Sequence, residues 1–507
     1  MKYLLGIDIG TSGTKTVLFD SGLNVIFSAN FDYALYQPQN GWAEQNPEDW
    51  ADATLKGIKA VIEQSKVKPE NIAGIGLSGQ MHGLVMLDKD KKVLRKSIIW
   101  CDQRTGRECG QITEKLGKEK LIAITANPAL TGFTLSKILW VKNNEPDIYS
   151  KCRHILLPKD YVRFILTGAL ATEVSDAGGM QLADIKNRKW SSEVLQAFNI
   201  DEGMLPKLYE SQVVSGFINK KTAEITGLKE GVPVVGGAGD QAASAIGNGV
   251  IREGVMSLTL GSSGVIFAAT NKPLVDKLGR VHTLCHAVPG MWHIMSVTQG
   301  CGLSLKWYKD NYCGDETAEA KKTGKDVYDI LFDKIKDLPI GSEELLFLPY
   351  LMGERSPHLD ENARGVFFGL SNLHTKYHLF RSVVEGVTFS QRECFEIMKS
   401  MGAVSSEILL GGGGSKSAVW RQMLADNFDT EVKTLKTGET GAMGVAILAG
   451  AGTGIYKDVR TACETYITPD KAVYPNKEKG AKYTPFYNVY KNLYPALKRE
   501  FDRLNHI

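Results

Sequence analysis

The chain has 507 residues, 43% of them hydrophobic and 23% charged, with a formal net charge of +3. That length exceeds a usual single core, so two domains of about 250 residues are expected, each large enough to be stable alone. The small net charge, with no Lys/Arg block, aromatic-basic ladder or acidic tail, argues against nucleic acid or a membrane surface as a general partner.

The eight cysteines, at positions 101, 109, 152, 285, 301, 313, 394 and 463, are scattered without CxxC or Cys/His metal spacing and read as reduced cytosolic thiols. The N-terminus enters an apolar run within a few residues, with no signal-peptide pattern. No apolar stretch approaches the roughly 20 residues a membrane helix needs. A soluble, cytoplasmic protein is expected.

The first element is a hairpin, GIDIGTSGTKTVLFD, Gly6 to Asp20. Apolar residues run from Tyr3 through Ile9, the chain turns through Gly10, Thr11, Ser12 and Gly13, and apolar residues return at Val17 to Phe19. Glycines let turn N–H groups approach phosphate oxygens, Thr11, Ser12 and Thr14 add hydroxyls, and Lys15 adds charge. Asp8 is anionic within an apolar run, which costs several kcal/mol unless it is hydrogen-bonded or faces a cation such as water-bound Mg²⁺. The spacing of a Walker loop is absent. One such hairpin could be an ordinary glycine turn with a solvated Asp. A shortened copy, SLTLGSSGVIFAAT from Ser257, argues otherwise: Gly261, Ser262, Ser263 and Gly264 repeat the turn, with no acid matching Asp8. Two phosphate-binding hairpins imply two halves facing one nucleotide.

Next comes IAGIGLSGQMHGLVMLD, with a strand from Ile72 to Leu77, a turn at Ser78, Gly79 and Gly83, and Gln80, Met81 and His82 at the strand's end. A strand over Val93 to Trp100 is expected to deliver Cys101, Asp102, Gln103 and Arg104. Ligands bind at the carboxyl ends of strands in open α/β sheets, and a sugar site needs such directional polar groups with an aromatic face, here Trp100. A structural ion pair accounts equally for an isolated Asp and Arg.

In GVPVVGGAGDQAASAIGNGV, Val232 to Val235 is a short strand, Gly236, Gly237 and Gly239 a turn, and Asp240 opens a helix ending near Gly247. Asp240 can be an N-cap worth about 1 kcal/mol. It can also accept a substrate hydroxyl proton, held ionised at neutral pH by the helix N-terminus. Because phosphoryl transfer demands little proton removal until late, an Asp of ordinary pKa, about 4, suffices. In ILLGGGGSKSAVWRQMLADNFDTEV, a strand over Ile408 to Leu410 meets four glycines and a helical pattern from Ser415 to Phe428, a bare surface for an adenine ring. The tail after Tyr483 is a helix for packing or dimerisation.

Together these clusters resemble the FGGY family of carbohydrate kinases, within the actin, Hsp70 and sugar-kinase superfamily, over nearly the whole chain. GFTLSKILWVKNN, Gly132 to Asn144, is similar to the family's first signature, and GVFFGLSNLHTKYHLFRSVVEG, Gly365 to Gly386, to its second. SGQMHGLV with IIWCDQRT is most similar to the D-xylulose-phosphorylating branch, in which a Met–His–Gly turn contacts the ketopentose. The resemblance implies an α/β fold of two ribonuclease-H-like domains, residues 1–250 and 251–507, each with a mixed five-stranded sheet, with ATP and sugar in the cleft between them. It implies Asp240 as catalytic base and Asp8 as the residue positioning Mg²⁺. Thr11, Ser12, Thr14 and Lys15 match the first phosphate loop, Gly261, Ser262 and Ser263 the second, and Gly412, Gly413 and Ser417 the adenosine motif. Met81, His82, Trp100, Asp102 and Arg104 lie on the sugar side with Asp240.

Gly441, Ala442 and Gly444 are similar to small residues that let a family helix approach the nucleotide, and plain helix packing accounts for them equally. The LMGERSP loop, with Glu354 and Arg355, faces the cleft by resemblance, or is a structural ion pair. The implied reaction is ATP-dependent phosphorylation of D-xylulose to D-xylulose 5-phosphate, with homodimerisation a family expectation. Kinases of ribulose, glycerol or a hexulose differ by few pocket residues and stay open as alternatives. A superfamily ATPase of chaperone or filament type would need a substrate-binding appendage or polymerising surface.

Overall fold

The computed structural model describes residues 1–436 and 438–505. The fold is α/β, with two domains built on separate mixed sheets. In the first sheet, Tyr3–Ile9 runs antiparallel to Gly13–Asp20 and parallel to Ile72–Gly79. Val25–Asp32 extends the hairpin side, and Pro233–Val235 the parallel side. The second sheet repeats this order: Gly254–Leu260 is antiparallel to Gly264–Thr270 and parallel to Ser405–Gly411, with Trp292–Thr298 and Glu431–Leu435 outside them. Each sheet has seven strands rather than the five expected. The additions are short edge or side strands, Val214–Phe217 and Ala238–Gly239 in the first sheet, His282–Cys285 and Pro469–Val473 in the second.

The two turns expected to hold phosphate therefore sit at equivalent ends of equivalent strands. Each closes on itself, Gly10 donating its N–H to the Gly13 carbonyl at 3.0 Å and Gly261 to that of Ser263 at 3.1 Å. Among the described residues, the backbone N–H groups of Thr11, Ser12, Ser262 and Ser263 meet no protein acceptor. Four donors at the matching ends of two sheets are thus left for a ligand.

The helix Thr440–Gly452, late in the chain, packs on the first sheet and on the helix Asp240–Gly247. Its contact is backbone on backbone. A Cβ on Gly6 would lie 2.0 Å from the Ala442 carbonyl oxygen, one on Gly76 2.0 Å from that of Val445, and one on Gly444 1.9 Å from that of Ala243. Gly6 and Gly76 thus admit this helix to the sheet and Gly444 admits it to the helix Asp240–Gly247, while a Cβ on Gly441 would lie 3.0 Å from the Asp8 carboxylate. An apolar core shared by Leu4, Val17, Ala243, Val255, Phe267 and Val445 ties the two halves together there.

Three local expectations change. The segment Val93 to Trp100 is not one strand: Val93 makes an isolated bridge to Leu87, and only Ser97–Ile98 forms a strand, pairing with Glu44–Gln45, with the Arg95 side chain between them on Glu44 and Glu145 at 2.8 and 2.9 Å. The strand at Ile408 runs longer, Ser405–Gly411. The helix expected from Ser415 begins at Ala418, since Gly413–Lys416 forms a 3-10 turn and the Ser417 hydroxyl caps the helix by accepting the Trp420 N–H at 3.2 Å. The tail helix, Lys477–Leu504, buries Tyr483, Tyr487, Tyr490 and Tyr494 in the second core, so its aromatic face is used for packing.

Candidate active site

Asp240 is delivered by a loop that only glycines can form. A Cβ on Gly237, whose φ is +70°, would lie 2.0 Å from the Leu77 carbonyl oxygen. Gly239, not Asp240, is the N-cap; Asp240 is the first helical residue, and its carboxylate interacts with the backbone and side chain of Gln241. The loop is held from below by a fully buried charge network. Lys159 meets Asp160, Asp176 and Glu173 at 2.9, 3.0 and 3.4 Å, and Arg163 donates to Asp160, to the Ala171 carbonyl and to that of Gly236. Glu173 accepts the Ser175 hydroxyl at 2.9 Å, and that hydroxyl accepts the Gly239 N–H at 3.1 Å. Removing one member would strand a buried charge, so the network fixes the register of the loop.

Asp8 accepts the Ser78 hydroxyl at 2.7 Å across the paired strands. Lys15, beside it in the hairpin, pairs with Glu439 at 2.6 Å. Burial raises the Asp8 pKa and the Glu439 charge raises it further, while Ser78 and Lys15 act the other way. Burial together with Asp8 pushes Asp240 up to about 7. The expected pKa near 4 is thereby corrected: the helix N-terminus does not outweigh desolvation and a neighbouring carboxylate.

The other hairpin hydroxyls divide. Thr14 is buried and turned to Tyr33, Ser12 is exposed, and Thr11 accepts the Trp100 indole N–H at 2.9 Å.

Asp240 lines a small cavity of about 160 Å³ together with Met81, His82, Trp100, Phe133, His282 and Arg355. Met81 packs beside Gly239, its Cγ 2.9 Å from where a Cβ would stand. His82 has a φ of +68°, and its Nδ1 lies 3.1 Å from the Gly179 carbonyl, which Gly179 permits by lacking a Cβ. Because a carbonyl only accepts, Nδ1 carries the proton. Burial, reinforced by Lys137, holds His82 well below its usual pKa, so the ring is neutral and Nε2 is an acceptor. The buried Lys137 donates to the carbonyls of His82 and Gly132 at 2.9 and 2.7 Å, clamping two walls of the cavity. Asp102 and Arg104 lie behind this wall: Asp102 accepts the Ala43 N–H at 2.6 Å and pairs with Arg104, which stacks 3.6 Å from the Trp42 ring centroid.

A second cavity of about 650 Å³ is lined by Gly261, Ser262, Gly413, Ser417, Trp420 and Phe332. Gly412 shapes its rim; with φ +79°, a Cβ there would meet the Leu260 carbonyl at 2.5 Å. Consecutive residues of one turn thus face both spaces, Gly261 and Ser262 the larger and Ser263 the smaller.

Residues 3–247 match the FGGY family of carbohydrate kinases, N-terminal domain, and residues 256–453 its C-terminal domain. The chain belongs to the FGGY family of carbohydrate kinases. It is 39% identical over 498 residues to the xylulose kinase of Bacillus subtilis, covering 98% of both chains. Among solved structures, the xylulose kinase from Lactobacillus acidophilus superposes with a TM-score of 0.92 at 28% identity, covering 99% of this chain and 100% of that one. A gluconate kinase from the same organism gives 0.92 at 28%, covering 99% of each.

As a carbohydrate kinase of this family, the protein uses ATP as a substrate. Several cavity residues of this FGGY kinase carry no motif in the sequence. Asp326, Tyr328, Asp329 and Phe332 in the larger cavity belong to an ordinary capped helix, Val327–Ile335. Gly302 and Leu303 could have been found, because Trp292–Thr298 followed by glycines and a helix repeats the strand–glycine–helix pattern of the other clusters. His282 lies inside a strand and Gln241 inside a helix, where ordinary packing explains them until the cavity is seen.

Proposed function

We propose that this chain phosphorylates a ketopentose, D-xylulose to D-xylulose 5-phosphate, with the sugar in the smaller cavity and ATP in the larger. The observation that carries this reading is the shared turn: residues 261–263 border both cavities, so a phosphoryl group held there faces the sugar space that Asp240 lines. The names of the xylulose kinases it resembles support the choice of sugar. Residues 1–250 and 251–507 act as two domains that close on these substrates, in the cytoplasm, where ATP is made.

Asp240 takes the proton of the attacking hydroxyl. With its pKa near 7, it is a stronger base than an ordinary Asp and is still about half ionised at neutral pH. The free N–H groups of Thr11, Ser12, Ser262 and Ser263 bind phosphate oxygens, and Gly413, Ser417 and Trp420 border the adenosine. Met81, His82 and Trp100 line the sugar, while Asp102 and Arg104 support that wall from behind.

The donor set fits Mg²⁺. Asp8, Asp240 and Glu439 concentrate negative charge with Lys15 as the neighbouring cation, and Mg²⁺ binds through one or two carboxylates plus phosphates and waters. Asp8 would hold it, and the ion would neutralise phosphate charge. Closure on the sugar excludes water as a competing acceptor.

The test is ADP release from Mg·ATP with no sugar, D-xylulose, D-ribulose, L-ribulose, glycerol or gluconate, with Asp240→Ala beside the wild type. Preference for D-xylulose, abolished in the variant, is expected. Faster turnover on another acceptor refutes the substrate, and sugar-independent hydrolysis indifferent to Asp240→Ala refutes the mechanism.

A further inference from the structure

Arg355 is the one permanent cation among the residues lining the small cavity, as Asp240 is the one carboxylate. It comes from the second half of the chain, on a loop anchored to the strand Trp292–Thr298 and the residues after it. Glu354 accepts the backbone N–H groups of Gln299 and Arg355 at 2.6 and 2.8 Å. The Ser356 N–H reaches the Val297 carbonyl at 3.1 Å, its hydroxyl reaches that of Arg280 at 2.6 Å, and Glu354 and Asp360 exchange both backbone bonds. The loop is thus a rigid mount. Glu354 accepts both N–H groups through Oε1, its buried Oε2 has no hydrogen-bond partner among the described residues, and none of their side chains or carbonyls accepts from the Arg355 guanidinium. A largely desolvated guanidinium with five N–H donors and no protein acceptor is costly unless the ligand supplies oxygens.

Its place within the cavity follows from its neighbours. Met81 packs against Gly239, next to Asp240, whereas His82 stacks toward Phe133, ring centroids 4.7 Å apart, and Phe133 toward His282 at 5.7 Å. Burial is the main cause that keeps both histidines neutral, and the Arg355 charge adds to it at both. The charge that acts on Asp240 is Asp8. Arg355 thus lines one cavity with both histidines and Asp240, and its charge reaches both rings. Among the described residues His82 Nε2 has no hydrogen-bond partner; with the proton on Nδ1 it can only accept, while Arg355 can only donate.

We propose that Arg355 and His82 form a donor–acceptor pair that reads the 1-hydroxy-2-keto end of an open-chain ketose, the carbonyl oxygen accepting from Arg355 and the terminal hydroxyl donating to His82. Arg355 is then a specificity-determining residue supplied by the second half of the chain. The pair also explains a selection. A carboxylate would accept from Arg355 but set its second oxygen against the His82 lone pair, and a polyol would lose the fixed carbonyl acceptor. This inference rests on the ketopentose reading above.

The experiment measures initial rates of wild type, Arg355→Lys and Arg355→Ala against D-xylulose, xylitol and gluconate, each at varied ATP, with thermal midpoints to confirm folding. Wild type should prefer D-xylulose to both analogues by tenfold or more. Losing a charged hydrogen bond should raise the D-xylulose KM about 10- to 100-fold in Arg355→Ala and less in Arg355→Lys. The KM for ATP should move less than twofold, and the preference over xylitol should shrink. Wild type inactive on D-xylulose would overturn the ketopentose reading and this inference together. Wild type active on D-xylulose, with folded variants unchanged in its KM or in the xylitol ratio, would overturn the inference alone. A variant that lost ATP and sugar affinity equally would also overturn it, by showing a merely structural role.

Discussion

Asp240→Asn separates what the carboxyl does for catalysis from what it does to the fold. Burial, with Asp8 adding to it, moves the Asp240 pKa from an ordinary 3.8 to about 7. A raised carboxyl pKa means that the folded state resists ionisation more than the unfolded chain does. The side chain therefore costs nothing below pH 3.8, costs progressively more as pH rises toward 7, and reaches a constant penalty above that. At about 1.36 kcal/mol per pH unit the penalty is about 2 kcal/mol near pH 5.5 and about 4 kcal/mol near pH 8. These are upper figures, because the carboxyl faces a cavity rather than packed interior. Asparagine is nearly isosteric and does not titrate, so the variant should gain up to about 2 kcal/mol on wild type between the two pH values. At roughly 2–4 °C per kcal/mol, the gap in thermal midpoint should widen by about 4–8 °C, while sugar-dependent turnover falls by about 10² or more. Midpoints that differ equally at both pH values, or a variant less stable near pH 8 than near pH 5.5 relative to wild type, would refute the assignment of a strained buried carboxylate.

Three further outcomes are expected. Asp8→Asn removes a charge that holds the Asp240 pKa up, so the acid limb of the residual kcat/KM profile should move to lower pH than in wild type; an unmoved limb would refute the coupling. Lys137→Met deletes two hydrogen bonds from a buried ammonium, each worth about 1.5–3 kcal/mol, and should raise the sugar KM about tenfold or more. Equal loss of ATP affinity would contradict its place between two walls of the sugar cavity. Gly444→Ala forces a Cβ to within 1.9 Å of the Ala243 carbonyl and should lower the thermal midpoint by several degrees through about 1–3 kcal/mol of overpacking, whereas Gly106→Ala, with nothing within 4 Å, should not lower it.

Apolar runs ending in glycine made the sheet ends legible in the sequence, and with them the two turns, the Met81–His82 corner and the Asp240 loop. Their positions depend on local geometry, since a strand must stop where backbone has to approach a ligand. What stayed hidden depends on contacts across the chain. The pKa of Asp240 is set by burial and by Asp8, 232 residues earlier in the sequence. The Asp102–Arg104 pair reads as a sugar contact until Trp42 and Ala43 are seen packed on it. Thr440–Gly452 is so uniformly apolar that no face can be assigned from periodicity, and its docking surface emerges only from the glycines it meets, Gly6 and Gly76. Arg355 lies in a loop without periodicity, where an adjacent Glu suggests a hydrogen-bonded ion pair, whereas Glu354 takes its hydrogen bonds from the backbone N–H groups of Gln299 and Arg355.

The two hairpins share register and turn geometry but not charge, and the difference follows from where each turn points. In the first sheet, Asp8 stands opposite Ser78; at the equivalent place in the second, Thr259 stands opposite Gly411. Asp8, Asp240 and Glu439 already gather carboxylates around the first turn with Lys15 beside them. A nucleotide brings several more negative charges to the same place. In the proposed site a second acid at Thr259 would add repulsion to the phosphates without a cation of its own, whereas neutral backbone N–H groups at Ser262 and Ser263 would bind them without that penalty. The neighbouring Leu260 lines the larger cavity, where an apolar wall suits a purine ring better than a carboxylate. One turn gathers charge and the other presents neutral donors, so in the proposed mechanism the phosphoryl group would cross from a neutral cradle toward Asp240, whose pKa burial and Asp8 raise to about 7.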